Sequence, residues 1–200
     1  MNIHSTPNDS SAGAGLEEQI RKLVSLGIGF SLPEEELIEQ LTRHWERELY
    51  EEEPYVLLLN IAGLEQFERG RGLYRLSPQI WTFDIECVEE EDVYEQAVET
   101  MVAMTGGRIE IEELSGKVDF DAAGTEISFT LNGKKHELYA RLQGDWFDLD
   151  ILGGAATIFR GPDLRFLERR VDQSVTFVCC TPAAQLELKQ LTNGAFEEPI

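Results

Sequence analysis

The clearest alternation of apolar and polar residues lies in the middle of the second half of the chain. Ile127, Phe129 and Leu131 share one face of a predicted strand, because successive side chains of a strand point to opposite faces. Asn132 and Gly133 follow and suit the two positive-φ positions of a type I′ turn. A two-residue turn fixes the register of the hairpin. The predicted pairs are Leu131 with Lys134, Phe129 with His136 and Ile127 with Leu138, and the apolar face continues through Ala140 and Leu142.

Helical spacing of apolar residues replaces this alternation near the start of the chain. Leu16, Ile20 and Leu23 fall on one stripe and predict a first helix. Ser31 and Glu34 form a capping-box pair, which predicts the start of a second helix. Its apolar stripe is Leu37, Leu41, Trp45 and Leu49. These patterns predict a helical segment ahead of the strands.

Three stretches between residues 55 and 87 are assigned from weaker patterns. We interpret the apolar run 55–62 as a third helix and the stretch 63–78, with its Arg-Gly-Arg-Gly sequence, as a loop. In the stretch 80–87, Trp81 and Phe83 alternate with polar residues. This alternation predicts a half-buried strand whose acidic residues lie on the other face.

The remaining elements complete a mixed pattern. Strands are predicted at 80–87, 108–114, 117–120, 126–131, 135–142, 164–169 and 174–181, and helices at 92–105, from 146 onward, and at 182–191. This order predicts an α+β fold with a mainly antiparallel sheet of about six to seven strands, helices on one face and a preceding N-terminal helical segment. The predicted organisation is a disordered tail at 1–15, the helical segment at 16–62 and the α+β domain at 75–200.

The charge of the chain limits its partners. The sequence has 38 acidic and 17 basic residues, a formal net charge of −21. Residues 1–100 hold 22 of the acidic and 7 of the basic residues. Such a field repels nucleic-acid phosphates and anionic membranes and attracts basic proteins or cations. We therefore expect no nucleic-acid or membrane partner and consider a basic protein partner; the alternative is that the charge serves solubility alone.

The cysteines and the N-terminus favour a cytoplasmic protein. Cys87, Cys179 and Cys180 are odd in number and lack C-x-x-C spacing, so we expect neither a disulfide framework nor a zinc site. Cys179 and Cys180 are expected on opposite faces of a strand, one of them buried. Residues 1–15 lack Lys, Arg and an apolar run, so no secretory signal is expected.

Catalytic signatures are missing from the sequence. It contains no G-x-S-x-G elbow, phosphate-binding P-loop, dinucleotide fingerprint or H-E-x-x-H motif, and only three histidines. We therefore favour a non-enzymatic protein and expect no catalytic residue and no cofactor.

The carboxylates are the chemistry that stands out. Asp145 is predicted to cap a helix that begins at Trp146, with Asp148 in its first turn. Alternatively, Asp84, Glu86, Asp145 and Asp148 converge to hold a divalent cation. The candidate binding residues are Asp84, Glu86, Glu89, Glu90, Glu91, Asp145, Trp146 and Asp148.

Several stretches carry a resemblance to a known group. They are Trp81-Thr-Phe-Asp-Ile-Glu-Cys87, the turn 127–133, Gly144-Asp-Trp-Phe-Asp148, the stretch 172–177 and Leu191-Thr-Asn193. Over residues 75–196 the chain resembles uncharacterised bacterial α+β domains, some of them similar in size and acidity to immunity proteins of polymorphic toxin systems. The resemblance supports the fold and implies no catalytic residue.

Three functions remain open from the sequence. The first is an acidic binding protein, such as an immunity protein or inhibitor that caps a basic partner. The second is a metal-dependent hydrolase that uses the clustered carboxylates. The third is a structural or scaffold domain.

Overall fold

The computed structural model describes residues 14–200, so the predicted tail lies outside it except for its last two residues. Seven helices and eight strands occupy this range. The helices are α1 (Leu16–Ser25), α2 (Glu34–Thr42), α3 (Leu49–Glu52), α4 (Val56–Ala62), α5 (Val93–Met104), α6 (Asp150–Phe159) and α7 (Pro182–Leu191). The strands are β1 (Glu65–Glu68), β2 (Gly72–Arg75), β3 (Ile80–Asp84), β4 (Glu112–Ser115), β5 (Gly124–Leu131), β6 (Lys134–Arg141), β7 (Arg165–Val171) and β8 (Ser174–Cys180). The α+β class is confirmed.

The strands of the described range form three small sheets, whereas the sequence predicted one sheet of six to seven strands. The sheets have the orders β1-β2, β3-β8-β7 and β4-β5-β6, and every ladder is antiparallel. Strand alternation gives the face of each strand but not its neighbours. The pairing of β3 with β8 joins residues about 95 positions apart, so local sequence could not predict it.

The sheet β3-β8-β7 is covered on both faces, whereas helices were expected on one. Val175, Phe177 and Cys179 of β8 enter one core, and Val178 and Cys180 enter the other. All six residues of β8 after its first are buried. Such an unbroken apolar run is typical of a strand packed on both sides. Both cysteines at the end of β8 are therefore buried, whereas only one was expected to be.

One core lies between this sheet and the helical segment. Side chains of α1, α2, α3, α4 and α7 pack there against Ile80, Leu167 and Val178. The second core lies on the opposite face and contains α5, α6 and the inner face of β5 and β6. The division of the chain into a segment at 16–62 and a domain at 75–200 stays a prediction. The helical segment shares its core with β3, β7 and β8.

The hairpin of β5 and β6 has the predicted register. Leu131 pairs with Lys134, Phe129 with His136 and Ile127 with Leu138. Asn132 and Gly133 have φ values of 53° and 74°, as the type I′ turn requires. The prediction is correct because the turn and the alternation are both local.

Residues 63–78 form a hairpin instead of the expected loop. Strands β1 and β2 pair from Glu65 with Arg75 to Glu68 with Gly72, and Gly70 and Gly72 have positive φ at the turn. Thr82 N of β3 donates to the carbonyl of Gly63 at 2.8 Å. This contact places the hairpin at the edge of the sheet β3-β8-β7, the central sheet of the molecule. Alternation did not identify these strands, because β1 has one apolar residue, Phe67, and the apolar residues of β2, Leu73 and Tyr74, are adjacent.

Other predicted elements also differ from the structure. Residues 117–120 are not a strand, the predicted strand 108–114 is reduced to β4, and the second helix ends at Thr42. Helix α6 begins at Asp150 rather than at Trp146. The reason is that Phe147 N donates to the carbonyl of Ile85 and Trp146 bridges Glu86, so extended pairing occupies these residues. Among residues 14–200, no helix has the length and apolar character needed to cross a membrane.

Candidate functional site

An open groove of about 640 Å³ lies on the α5 side of the central sheet. Strand β3 forms its floor, the start of β1 and the segment 86–90 lie along its edges, and the first half of α5 forms a wall. The lining residues are Leu64, Glu65, Trp81, Thr82, Phe83, Glu86, Cys87, Glu89, Glu90, Val93, Gln96, Ala97, Thr100 and Phe147. The groove is therefore built from segments that are far apart in sequence.

The floor of the groove is aromatic. Phe83 stacks on Trp81 with ring centroids 4.1 Å apart and planes at 16°, and Trp81 in turn lies 6.3 Å from Phe177. Phe147 meets Phe83 edge-on at 5.6 Å. Trp81, Phe147 and Phe177 are buried, but Phe83 is only half-buried. Phe83 thus ends a stack of three rings and presents part of its surface to the groove.

The rim of the groove is acidic. Glu65, Glu86, Glu89 and Glu90 line it, and no Lys, Arg or His does. All four side chains are exposed, and none forms a salt bridge with another residue of the described range. The only hydrogen bond that a rim carboxylate accepts there is from Gln173 Nε2 to Glu86 Oε1, at 2.6 Å. Glu65 lies opposite Arg75 in the ladder of β1 and β2 and interacts with its charge, so the negative charge that the described residues leave without a basic partner is that of Glu86, Glu89 and Glu90.

Several acidic residues of the helical segment have partners instead. Arg47 donates to both oxygens of Glu17 at 2.6 and 2.7 Å, and this contact lowers the pKa of Glu17. Glu34 pairs with Arg21 and Glu36 with Arg71. Within the described part of residues 1–100, six acidic residues form salt bridges, and none of the four rim residues is among them; the six are Glu17, Glu34, Glu36, Glu39, Glu53 and Glu68.

The thiol in the groove is not poised for chemistry. Burial, assisted by the nearby carboxylates of Asp84 and Glu89, raises the pKa of Cys87 to about 11. A thiolate needs a nearby cation to form at neutral pH. Cys87 is therefore a protonated, weakly reactive lining residue.

The groove includes three of the eight candidate binding residues predicted from the sequence. Glu86, Glu89 and Glu90 line it, whereas Asp84 and Glu91 lie beside it in the chain. Asp84 instead accepts from the backbone N–H of Glu86 at 2.9 Å. The acidic run could be recognised from its charge alone. The charge of this run does not show whether its residues share a site with Asp145, Trp146 and Asp148.

The other three candidates lie around a neighbouring hollow. Asp148 and Trp146 line it together with Arg141, and Asp145 is exposed nearby. Trp146 is 41% exposed, whereas Phe147 is in the core. The acidic groove and this hollow share only Phe147. The eight candidates therefore do not form one site.

Asp148, rather than Asp145, organises the start of α6. Its Oδ2 accepts from the backbone N–H and from Nε of Arg141 at 2.9 and 3.3 Å, and its Oδ1 accepts from the N–H of Asp150 at 3.2 Å. Asp145 makes no such contact: its backbone carbonyl accepts from the N–H of Val88. The predicted Asp145 cap is wrong because α6 begins five residues after it.

The residues that sequence reasoning missed are mainly those of the floor and the α5 wall. Trp81 and Phe83 were assigned only to a strand core, and Glu65 to a loop. Gln96 and Thr100 are polar residues of α5 that no motif distinguishes. The aromatic alternation of β3 was a signal for the floor, but nothing local indicates that α5 leaves Phe83 partly open.

The carboxylates do not converge on a cation site. Among residues 14–200, no group of three or more His, Cys, Asp or Glu side chains is arranged to hold a metal ion. Asp148 and Asp150 are instead engaged by Arg141, the latter through a 2.7 Å contact from Nη2. The convergence that the hydrolase alternative requires is absent from this range, which contains all four of its proposed ligands.

Comparisons with known proteins give no relative. No protein-family model, curated protein or solved structure matches the chain. The resemblance to uncharacterised bacterial domains and immunity proteins therefore stays a prediction.

Proposed function

We propose that the protein is a non-enzymatic acidic binding protein whose groove captures a basic segment of a partner protein. The observation that carries this proposal is the uncompensated acidic rim around an aromatic floor. An immunity protein or other inhibitor is the form of this function that the sequence resemblance favours.

The groove combines the two features of a protein-binding surface. Its floor offers Phe83 and its α5 wall offers the half-buried Val93 for apolar contact. Its rim of four carboxylates attracts cations before contact and selects against acidic partners. The matching ligand is a segment in which Lys or Arg alternates with apolar residues.

The charge of the molecule argues against two other occupants. A second copy of this chain would bring two surfaces of net charge −21 together, and a nucleic acid would bring phosphates to the carboxylates. Both encounters are repulsive. A basic protein segment is the occupant whose charge complements the groove.

The alternatives are less well supported. The hydrolase has neither a convergent carboxylate cluster within the described residues nor a thiol in its reactive form. The scaffold interpretation leaves the unpaired acidic rim without a role. If the binding experiment fails, a structural or scaffold domain is the interpretation that is left.

The proposal is tested with a fluorescent peptide in which arginine and lysine alternate with leucine. At low salt it should bind the full chain, and a matched glutamate–leucine peptide should not. Replacing Glu89 and Glu90 with Gln should weaken binding by about tenfold, because each lost carboxylate removes attraction at a partly desolvated contact.

The matched control changes the same net charge elsewhere. Glu110 and Glu126 are exposed and lie outside the groove. The variant Glu110→Gln/Glu126→Gln should bind the basic peptide nearly as well as the parent. Equal weakening by both double variants would mean that only the overall charge matters, and the groove would be excluded as the binding site.

A further inference from the structure

We infer that the side chain the groove selects from its partner is an arginine, stacked on Phe83 and bonded to the rim carboxylates. This inference rests on the proposed function and names the chemistry of recognition at the same site. It follows from the arrangement of the aromatic floor relative to the acidic rim.

Part of the Phe83 side chain is exposed in the groove. Trp81 covers one side of this ring at 4.1 Å and Phe147 approaches it edge-on, yet Phe83 stays half-buried and lines the groove. The face of an aromatic ring carries negative electrostatic potential and attracts a cation placed over it. On this inference, the exposed surface of Phe83 includes the ring face turned away from Trp81, and that face receives a positive group rather than a methyl or methylene group.

Three carboxylates of one segment line the same groove as this ring. Glu86 lies three residues after Phe83, and Glu89 and Glu90 follow on the same segment. Gln173 occupies Oε1 of Glu86, so Oε2 is left for a ligand. Glu86, Glu89 and Glu90 line the same groove as Phe83, so a group with several N–H donors bound there has more than one carboxylate as a possible acceptor.

Arginine and lysine differ in the shape and the hydration of their charged groups. A guanidinium group is planar, weakly hydrated and has five N–H donors, so it can stack on a ring while it bonds carboxylates in its plane. The lysine ammonium group is compact and strongly hydrated, and it loses more solvation over an aromatic floor. The floor and the rim together therefore favour arginine.

The experiment compares two peptides that differ only in this residue. One alternates arginine with leucine and the other alternates lysine with leucine, and both are titrated into the full chain at the same ionic strength. The parent should bind the arginine peptide about tenfold more tightly, the size of a partly desolvated cation–aromatic contact. Phe83→Leu should reduce this ratio to about one by weakening the arginine peptide alone.

A conservative variant controls for damage to the fold. Phe83→Tyr keeps the ring and should keep the preference, and thermal unfolding of each variant checks that the chain is folded. Equal affinity of the parent for both peptides, or a preference that survives in folded Phe83→Leu, would overturn the inference and leave the proposed function intact. Failure of both peptides to bind the parent would overturn the proposed function as well.

Discussion

At the scale of single residues, the contacts of the aspartates decide between two roles. Asp145 was expected to cap a helix, but Asp148 makes the bonds that hold the start of α6. Asp148 is largely buried, with 11% of its side chain exposed, and it ties β6 to the helix through Arg141. Its removal leaves the backbone N–H groups of Arg141 and Asp150 without their acceptor.

We therefore expect Asp148→Ala to lower the free energy of unfolding by about 0.5–2 kcal/mol, the usual cost of losing a side chain that accepts from backbone N–H groups at the start of a helix. Asp145→Ala is the matched control and should change stability by less than about 0.5 kcal/mol, as exposed substitutions usually do. Urea denaturation of both variants measures the difference. A larger loss for Asp145→Ala would restore Asp145 as the capping residue.

Glu168 is a second residue whose surroundings predict a measurable effect. Its side chain is 7% exposed on β7, and burial raises its pKa above the ordinary value of 4.5, although Arg170 opposes the shift. Between 4.5 and the raised pKa the folded chain binds more protons than the unfolded chain. The contribution of Glu168 to stability therefore decreases as the pH rises through this window.

Glu168→Gln removes this titration. Relative to the parent, the variant should gain stability as the pH rises from 4.5 through the pKa of folded Glu168, and the difference should be constant outside the window. Chemical denaturation at a series of pH values gives both curves. Parallel curves throughout the acid range would show that Glu168 titrates alike in the folded and unfolded chains.

At the scale of elements, local signals were reliable where the chain makes local contacts. The hairpin of β5 and β6 was predicted with its register, and α7 with its bounds, because turn residues, caps and alternation lie within each element. Thr181 caps α7 with an Oγ1 that accepts from the N–H of Ala184, and Pro182 follows in the first turn. The start of α6 was predicted wrongly because it depends on a distant partner, Ile85, whereas the local hairpin of β1 and β2 was missed because its strands show no alternation.

The turn of this hairpin can be tested directly. Gly133 has a φ of 74°, and no atom lies within 4 Å of where a Cβ would be, so a substitution there strains only the backbone. Gly133→Val should cost well over 1 kcal/mol of stability, because a β-branched residue is disfavoured at positive φ. Exposed Lys134→Val, one residue later, is the control. Equal denaturation midpoints for the parent and Gly133→Val would contradict the type I′ turn.

At the scale of the whole molecule, the unforeseen feature is a central sheet with a core on each face. The apolar run of β8 contained the signal, but a short buried run does not reveal which elements cover it. Cys179 and Cys180 report on the two faces separately, since one belongs to each core. Burial raises the pKa of both thiols to about 12.

Both thiols should therefore be protected together. In a Cys87→Ser background, a thiol reagent followed by mass spectrometry should label Cys179 and Cys180 only at the rate of global unfolding, and denaturant should release both at once. Labelling of Cys180 in the native protein while Cys179 stays protected would mean that the helical layer opens independently. It would then support the predicted separation of residues 16–62.

The candidate site shows the same limit on prediction. The acidic run from Glu89 to Asp92, of which Glu89 and Glu90 line the groove, was visible in the sequence, because charge needs no fold to be recognised. The aromatic floor was not, since Phe83 becomes a binding surface only where β3, the hairpin of β1 and β2, and α5 leave it open. A groove is a property of tertiary packing, and no single segment of this chain encodes it.

The most direct test of the groove is the rate at which the arginine–lysine–leucine peptide associates as the salt concentration is raised. Charges at a rim act mainly on the encounter, and salt screens them over a Debye length of about 10 Å at 0.1 M. The parent and Glu110→Gln/Glu126→Gln should show the same steep decrease. Glu89→Gln/Glu90→Gln should associate more slowly with a flatter dependence, and its dissociation rate should change less than its association rate. An association rate of the parent that is indifferent to ionic strength would contradict the account.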